Sequence, residues 1–111
     1  MHRVVLDRDG EAAIVEATGE LDAFAAPDLS RAFAELMGER QVLADFERVA
    51  FMDSTVLSLI VRATRDLTDA GASIRVVLPS GPARRIFEIT ALDRVLPVAE
   101  SRSSALAALA A

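Results

Sequence analysis

The sequence predicts a single α/β domain: a mixed, mostly parallel sheet of four to five strands, opened by an antiparallel hairpin and covered by about four helices. Three observations point there. The length, 111 residues, is that of one domain and allows one ordinary core. Near the N-terminus two β-rich runs flank Asp7-Arg8-Asp9-Gly10, where the Gly tolerates the positive φ of a tight turn. After that hairpin, strand-like and helix-like segments alternate, as they do when strands are laid parallel through helical crossovers. No repeat, linker or low-complexity stretch divides the chain, so residues 1–111 are expected to form one domain.

Val4 to Leu6 and Ala12 to Thr18 read as the hairpin strands. Gly19-Glu20-Leu21-Asp22 leads out of the second, and Pro27 stands where a helix starts, since the N–H it lacks has no partner in a first turn. Leu29, Ala32, Phe33 and Leu36 then form a buried stripe, and Gly38 ends the helix. Gln41 to Phe46 is a third strand carrying Val42, Leu43 and Phe46, followed by a short connection to Asp53. The second helix places Val56, Ile60, Ala63 and Leu67 on one face, runs to about Ala70 and stops at Gly71. Ser73 to Leu78 is a fourth strand. Pro79-Ser80-Gly81-Pro82 is a loop from which a third helix starts, with Ser80 or Gly81 near its cap and Ile86, Phe87 and Leu92 as its apolar face. Val95 to Val98 reads as a short edge strand, because Pro97 is tolerated only at an edge. Ser101 to Ala111 reads as a terminal helix with Leu106 and Leu109 inward.

Composition excludes several classes of function. A formal charge of -5 argues against sequence-independent binding to nucleic acid or to anionic membrane, both of which need clustered cations. Protein partners are the expectation. There is no cysteine and only one histidine, His2, so neither a thiolate metal site nor a cluster of imidazole ligands can be built, and a reducing compartment fits. The N-terminal residues turn polar within a few positions, and no apolar run is long enough to cross a bilayer; the expectation is a cytoplasmic protein without membrane insertion. All twelve basic residues are Arg, a bias from which no function is drawn.

Asp53-Ser54-Thr55 is the most informative stretch, because it sets an acid and two hydroxyls at the head of an apolar helix. Unpaired N–H groups and the positive end of the helix dipole meet there. Two readings are open on residue chemistry. Ser54 or Thr55 caps the helix while Asp53 complements the dipole, which accounts for all three residues; or Ser54 is a phosphorylation switch, whose phosphate beside Asp53 would repel an acidic or apolar partner more than it would unfold the domain.

Asp22 and Asp53 both follow strand ends, which in a parallel sheet can converge on one side and flank Ser54. As a catalytic or metal-binding carboxylate pair they lack a nearby His, Cys or third ligand, and turn and cap roles are the commoner use of Asp at such places. No catalytic residue, metal ligand or cofactor site is therefore assigned. The five glycines are too widely spaced to write a phosphate-binding loop, so ATP is not expected to bind this chain alone. Arg84 and Arg85 fit a solvated helix face or an acidic partner. Val56, Leu57, Leu59, Ile60 and Val61 are too many for one narrow stripe; burial on both sides, or exposure of one or two toward a partner, explains them.

Gly19-Glu20-Leu21-Asp22 with Ala26-Pro27-x-Leu29, Phe51-Met52-Asp53-Ser54-Thr55-x-Leu57, and Pro82-Ala83-Arg84-Arg85-Ile86-Phe87 with Thr90-x-Leu92 together resemble the STAS domain of bacterial anti-sigma factor antagonists. Each motif alone is unspecific; three in order, spanning almost the whole chain, are specific. The resemblance implies a non-enzymatic STAS-type domain that, unphosphorylated, binds an anti-sigma factor that is also a serine kinase and thereby frees a sigma factor. It implies that the kinase supplies the ATP, that the phosphoacceptor is Ser54, and that a serine phosphatase restores the antagonist. Asp22, Asp53, Thr55, Val56 and Leu57 are then expected on the partner-facing surface.

The match departs at Val56 and Ser58, where the family usually carries glycines. A β-branched Val there is expected to narrow a partner's approach or alter the local turn. The rival expectation is a constitutive STAS adaptor in a lipid-transport or sensory complex, in which Ser54 only caps.

Overall fold

The computed structural model describes residues 1–111. β1 (His2–Asp9) and β2 (Ala12–Leu21) form the opening hairpin, closed by the pair Asp9 and Ala12 with Gly10 at φ 59° in the turn. There follow α1 (Ala26–Glu35), β3 (Gln41–Asp45), β4 (Val49–Met52), α2 (Ser54–Asp69), β5 (Ser73–Val77), α3 (Arg84–Ile89), a 3-10 turn (Leu92–Arg94), β6 (Val98–Ala99) and α4 (Arg102–Ala110). The sheet order is β1-β2-β3-β5-β6, and only β1 against β2 is antiparallel.

β4 occupies what the sequence reading took for a plain connection. It pairs parallel with the end of β2, from Gly19 with Val49 to Leu21 with Met52, beyond the point where β3 leaves off at Glu16 with Asp45. β3 and β4 thus run along β2 as one interrupted strand. At the break, Phe46 N–H turns to the Val77 carbonyl at 2.9 Å and Val49 N–H to the Phe46 carbonyl at 3.0 Å. The register irregularity between Gly19 and Glu20 leaves Val49 and Met52 buried and Ala50 and Phe51 exposed, so the period-two signature of a strand is missing from the sequence.

The two sheet faces are unequally covered. Alternation along the strands sends Ala13, Val15, Ala17, Val42, Ala44 and Val76 to one side, against Leu29 and Phe33 of α1, Val56 and Ile60 of α2, and Phe87 of α3. Ala12, Ile14, Leu43 and Val77 face the other side, where Ala105 and Leu109 of α4 meet them, with the half-buried Leu106 and Ala99 packed alongside. Leu106, expected inward, packs half-buried against this cluster, and Ala105 joins Leu109 as a fully buried member of it. Two devices hold α4. Ser101 and Ser104 form a reciprocal capping box, and Arg102 donates to the buried Asp45 carboxylate at 3.1 Å and lies 3.3 Å from Glu16.

Helix boundaries largely follow the sequence signals. Pro27 lies in the first turn of α1, whose Leu29, Ala32 and Phe33 are buried, and α2 ends at Ala70 with Gly71 at φ 99°. α3 departs from expectation: its N-cap is Ala83, with no side-chain cap, while Ser80 instead donates its hydroxyl and its N–H to the Glu47 carbonyl, each at 3.2 Å. That bond ties the β5–α3 loop to the β3–β4 break. The expected edge strand begins later and is shorter, as β6; Leu92–Arg94 winds as a 3-10 turn and leaves Val95 exposed. No helix is long and apolar enough to cross a membrane.

Candidate partner-binding site at the head of the second helix

Parallel pairing brings the two acids together. Leu21 of β2 stands opposite Met52 of β4, so Asp22 and Asp53 leave the sheet side by side at its C-terminal edge. Asp53 N–H donates to the Leu21 carbonyl at 3.2 Å, fixing the junction to β2. Asp22 makes its own turn: its Oδ1 accepts the Phe24 N–H and its carbonyl accepts the Ala25 N–H, both at 3.0 Å. This Asx-type turn redirects the chain into α1.

Asp53 itself is the N-cap of α2. Its backbone is extended, at φ -97° and ψ 174°, and its Oδ1 accepts the Val56 N–H at 3.0 Å. Its carbonyl takes the Leu57 N–H at 3.1 Å and so begins the helical ladder. The expectation that Ser54 or Thr55 caps the helix is therefore corrected. Asp wins the position because a carboxylate both accepts the orphan N–H and complements the dipole. Ser54 and Thr55 are the first two helical residues, both exposed, and Ser54 is released from any capping duty.

Val56 and Leu57 are also corrected. Both were expected on the partner-facing surface, yet they are 0% and 5% exposed and belong to the main core. Leu59 and Ile60 are buried with them, and only Val61 is partly open, so burial on both sides accounts for the wide apolar run. The Val56 side chain points inward and adds no bulk over Ser54, which removes the expected narrowing.

Two exposed aromatics flank the junction. Phe24, in the turn made by Asp22, is 86% exposed, and Phe51, two residues before Asp53, is 50% exposed. Sequence reasoning did not single them out, because nothing in a sequence distinguishes an outward Phe from a core one. His2, the one imidazole, is bound to Asp28 at 2.8 Å on the β1–α1 flank. No group of three or more His, Asp or Glu side chains is arranged to hold a metal. A groove of about 550 Å3 lies between the C-terminal halves of α1 and α2, lined by Phe33, Met37, Leu59 and Arg62; Ser54 is not among its lining residues.

Comparison with known proteins agrees with this architecture. The model of the STAS domain matches residues 3–105. The anti-sigma-B factor antagonist of Staphylococcus aureus is 32% identical over 88 residues, 78% of this chain and 82% of that protein. An anti-sigma factor antagonist from Mycobacterium paratuberculosis superposes with a TM-score of 0.88 at 24% identity, covering 100% of this chain and 96% of its own. The Bacillus cell fate determinant SpoIIAA in its phosphorylated form gives a TM-score of 0.70 at 23% identity, over 94% of this chain and 96% of that one. With the family model spanning nearly its whole length, and a relative of that identity matched over most of both chains, this chain belongs to the STAS domain family of bacterial anti-sigma factor antagonists.

Proposed function

We propose that this protein is an anti-sigma factor antagonist switched at Ser54. Unphosphorylated, it binds an anti-sigma factor that is also a serine kinase, and a sigma factor is released. The kinase brings ATP, accepts the Ser54 proton and moves the γ-phosphoryl group to Oγ, leaving ADP. A serine phosphatase returns the hydroxyl.

The observation that carries this reading is the division of labour at the helix head. Asp53 takes the cap, so Ser54 can gain a phosphate without losing a structural hydrogen bond. The new dianion then shares the helix N-terminus with the Asp53 carboxylate and stands over the Asp22 turn, turning a mildly acidic surface into a strongly repulsive one. Asp22, Asp53 and Thr55 form the polar part of the partner surface, and Phe24 and Phe51 its apolar part. Val56 and Leu57 act from beneath by fixing the first turn.

A pull-down from native extract with wild-type protein and Ser54→Asp as paired baits tests the reading, together with intact-mass analysis of the endogenous protein. Recovery of a small ATP-binding kinase by the wild type alone, with a fraction carrying one phosphate at Ser54, is the expected result. Equal recovery of another partner by both baits, with no phosphorylated fraction, would overturn the switch in favour of a constitutive adaptor in a lipid-transport or sensory complex.

A further inference from the structure

β1 ends the sheet and presents eight residues of unpaired edge, against two in β6 at the opposite end. Glu20 N–H donates to the Met1 carbonyl at 3.1 Å, which sets the alternation of the ladder. Odd-numbered residues of β1 turn their N–H and C=O groups toward β2, and His2, Val4, Leu6 and Arg8 turn theirs outward. An incoming antiparallel strand must bond to those four.

We propose that two copies of this chain join β1 to β1 antiparallel, with Val5 on the two-fold axis and Arg3 of each copy opposite Asp7 of the other. Self-pairing through outward-facing residues restricts the register to those that set even numbers against even and odd against odd. The register centred on Val5 matches like with like: Val4 meets Leu6, Val5 meets Val5, and Arg3 meets Asp7 in close, non-hydrogen-bonded pairs where side chains interact best. His2 meets Arg8, but each already has an acid of its own, Asp28 at 2.8 Å and Glu39 at 2.8 Å. The next register along, centred on Leu6, would set Val5 against Asp7 and Val4 against Arg8. On the face away from α1, α4 packs on β3, β5 and β6, leaving the Arg3, Val5 and Asp7 row open for pairing.

This pairing is independent of the Ser54 reading. The antiparallel two-fold sends the two Ser54 junctions to opposite ends of the joined sheet, so both remain open to partners.

Sedimentation velocity on the full chain, up to about 200 μM, tests the proposal. The wild type is expected to form a concentration-dependent dimer. Arg3→Asp and Asp7→Arg should each weaken it by at least about tenfold, since both charge pairs become repulsive, and an equal mixture of the two variants should restore it. That rescue also establishes that both variants are folded. Because the chain has no cysteine, Val5→Cys adds a single thiol. At the axis its Cα atoms lie about 4.5–5.5 Å apart, within disulfide reach, and it should cross-link on mild oxidation. Asp9→Cys should not, its two copies lying roughly 27 Å apart at about 3.4 Å per residue. A monomer at every concentration, a dimer indifferent to both charge changes, failure of the mixture to restore association, or absence of the Val5→Cys cross-link would each overturn the proposal.

Discussion

The Asp53 carboxylate accepts the Val56 N–H at 3.0 Å, so an acid and not a hydroxyl holds the first turn of α2. The capping duty thereby falls on Asp53 and leaves the adjacent Ser54 without one. Asp53→Ala should cost about 1 kcal/mol of stability through loss of the cap. Ser54→Ala should stay within about 0.5 kcal/mol of wild type. Urea denaturation of the two variants separates these roles; equal costs would mean that Ser54 shares the cap.

Ser54→Asp is expected to abolish binding of the kinase anti-sigma factor while leaving the unfolding midpoint near that of wild type. Ser54→Ala should retain binding and resist phosphorylation. Isothermal titration with the purified partner, paired with phosphate incorporation from ATP, reads both. Binding by Ser54→Asp at wild-type affinity would remove the electrostatic basis of the switch.

Phe24 and Phe51 are exposed without any evident service to the fold. Buried aromatics dominate interface energetics, so Phe24→Ala and Phe51→Ala should each lower partner affinity by roughly tenfold or more. Thermal unfolding should be unchanged. A large drop in stability would show instead that these rings cover the core.

Gly19 sits at φ 87° within β2, and a Cβ there would collide with the Met1 carbonyl, which Glu20 N–H uses to hold the end of β1. Gly19→Ala should therefore destabilise by more than about 1 kcal/mol, adding the positive-φ penalty to the clash. Amide exchange should report the loss first in β1 and at the head of β4, since Gly19 N–H also donates to the Arg48 carbonyl at 3.2 Å.

The hydrogen bond with His2 holds the Asp28 carboxyl below its ordinary value, with the charges of His2 and Arg31 acting in the same direction and desolvation opposing them. A depressed folded-state pKa contributes stability above the unfolded value and loses it as pH falls through the folded one. The pair is exposed, so salt should weaken the effect. Carboxyl NMR titration of wild type and His2→Ala should show the Asp28 midpoint rising in the variant; an unmoved midpoint would mean that the bond is not populated in solution.

Much of this architecture is legible in the sequence because its signals are local. Asp9-Gly10 marks the hairpin, Pro27 with Leu29 and Phe33 marks α1, and Gly71 ends α2. β4 is not legible, since the irregularity opposite Gly19 and Glu20 leaves both Ala50 and Phe51 outward and erases the alternation that identifies a strand. Nor can a sequence choose the cap among three consecutive residues that are all able to serve; that choice follows from where Met52 leaves the sheet. The Arg102–Asp45 bond joins positions 57 apart, and the burial of Leu57 depends on packing from both sides of α2. In each case the deciding neighbour is distant in the chain.

The break between β3 and β4 also separates two kinds of stability. β3 is clamped between β2 and β5, whereas β4 is paired with β2 alone. The head of α2 therefore rests on a short ladder paired on one side only, and local opening there leaves the central strands bonded. A partner that reshapes this junction works against the free energy of a four-residue strip, not against that of the whole domain, so the recognition surface can flex or change in sequence while the scaffold beneath it stays folded.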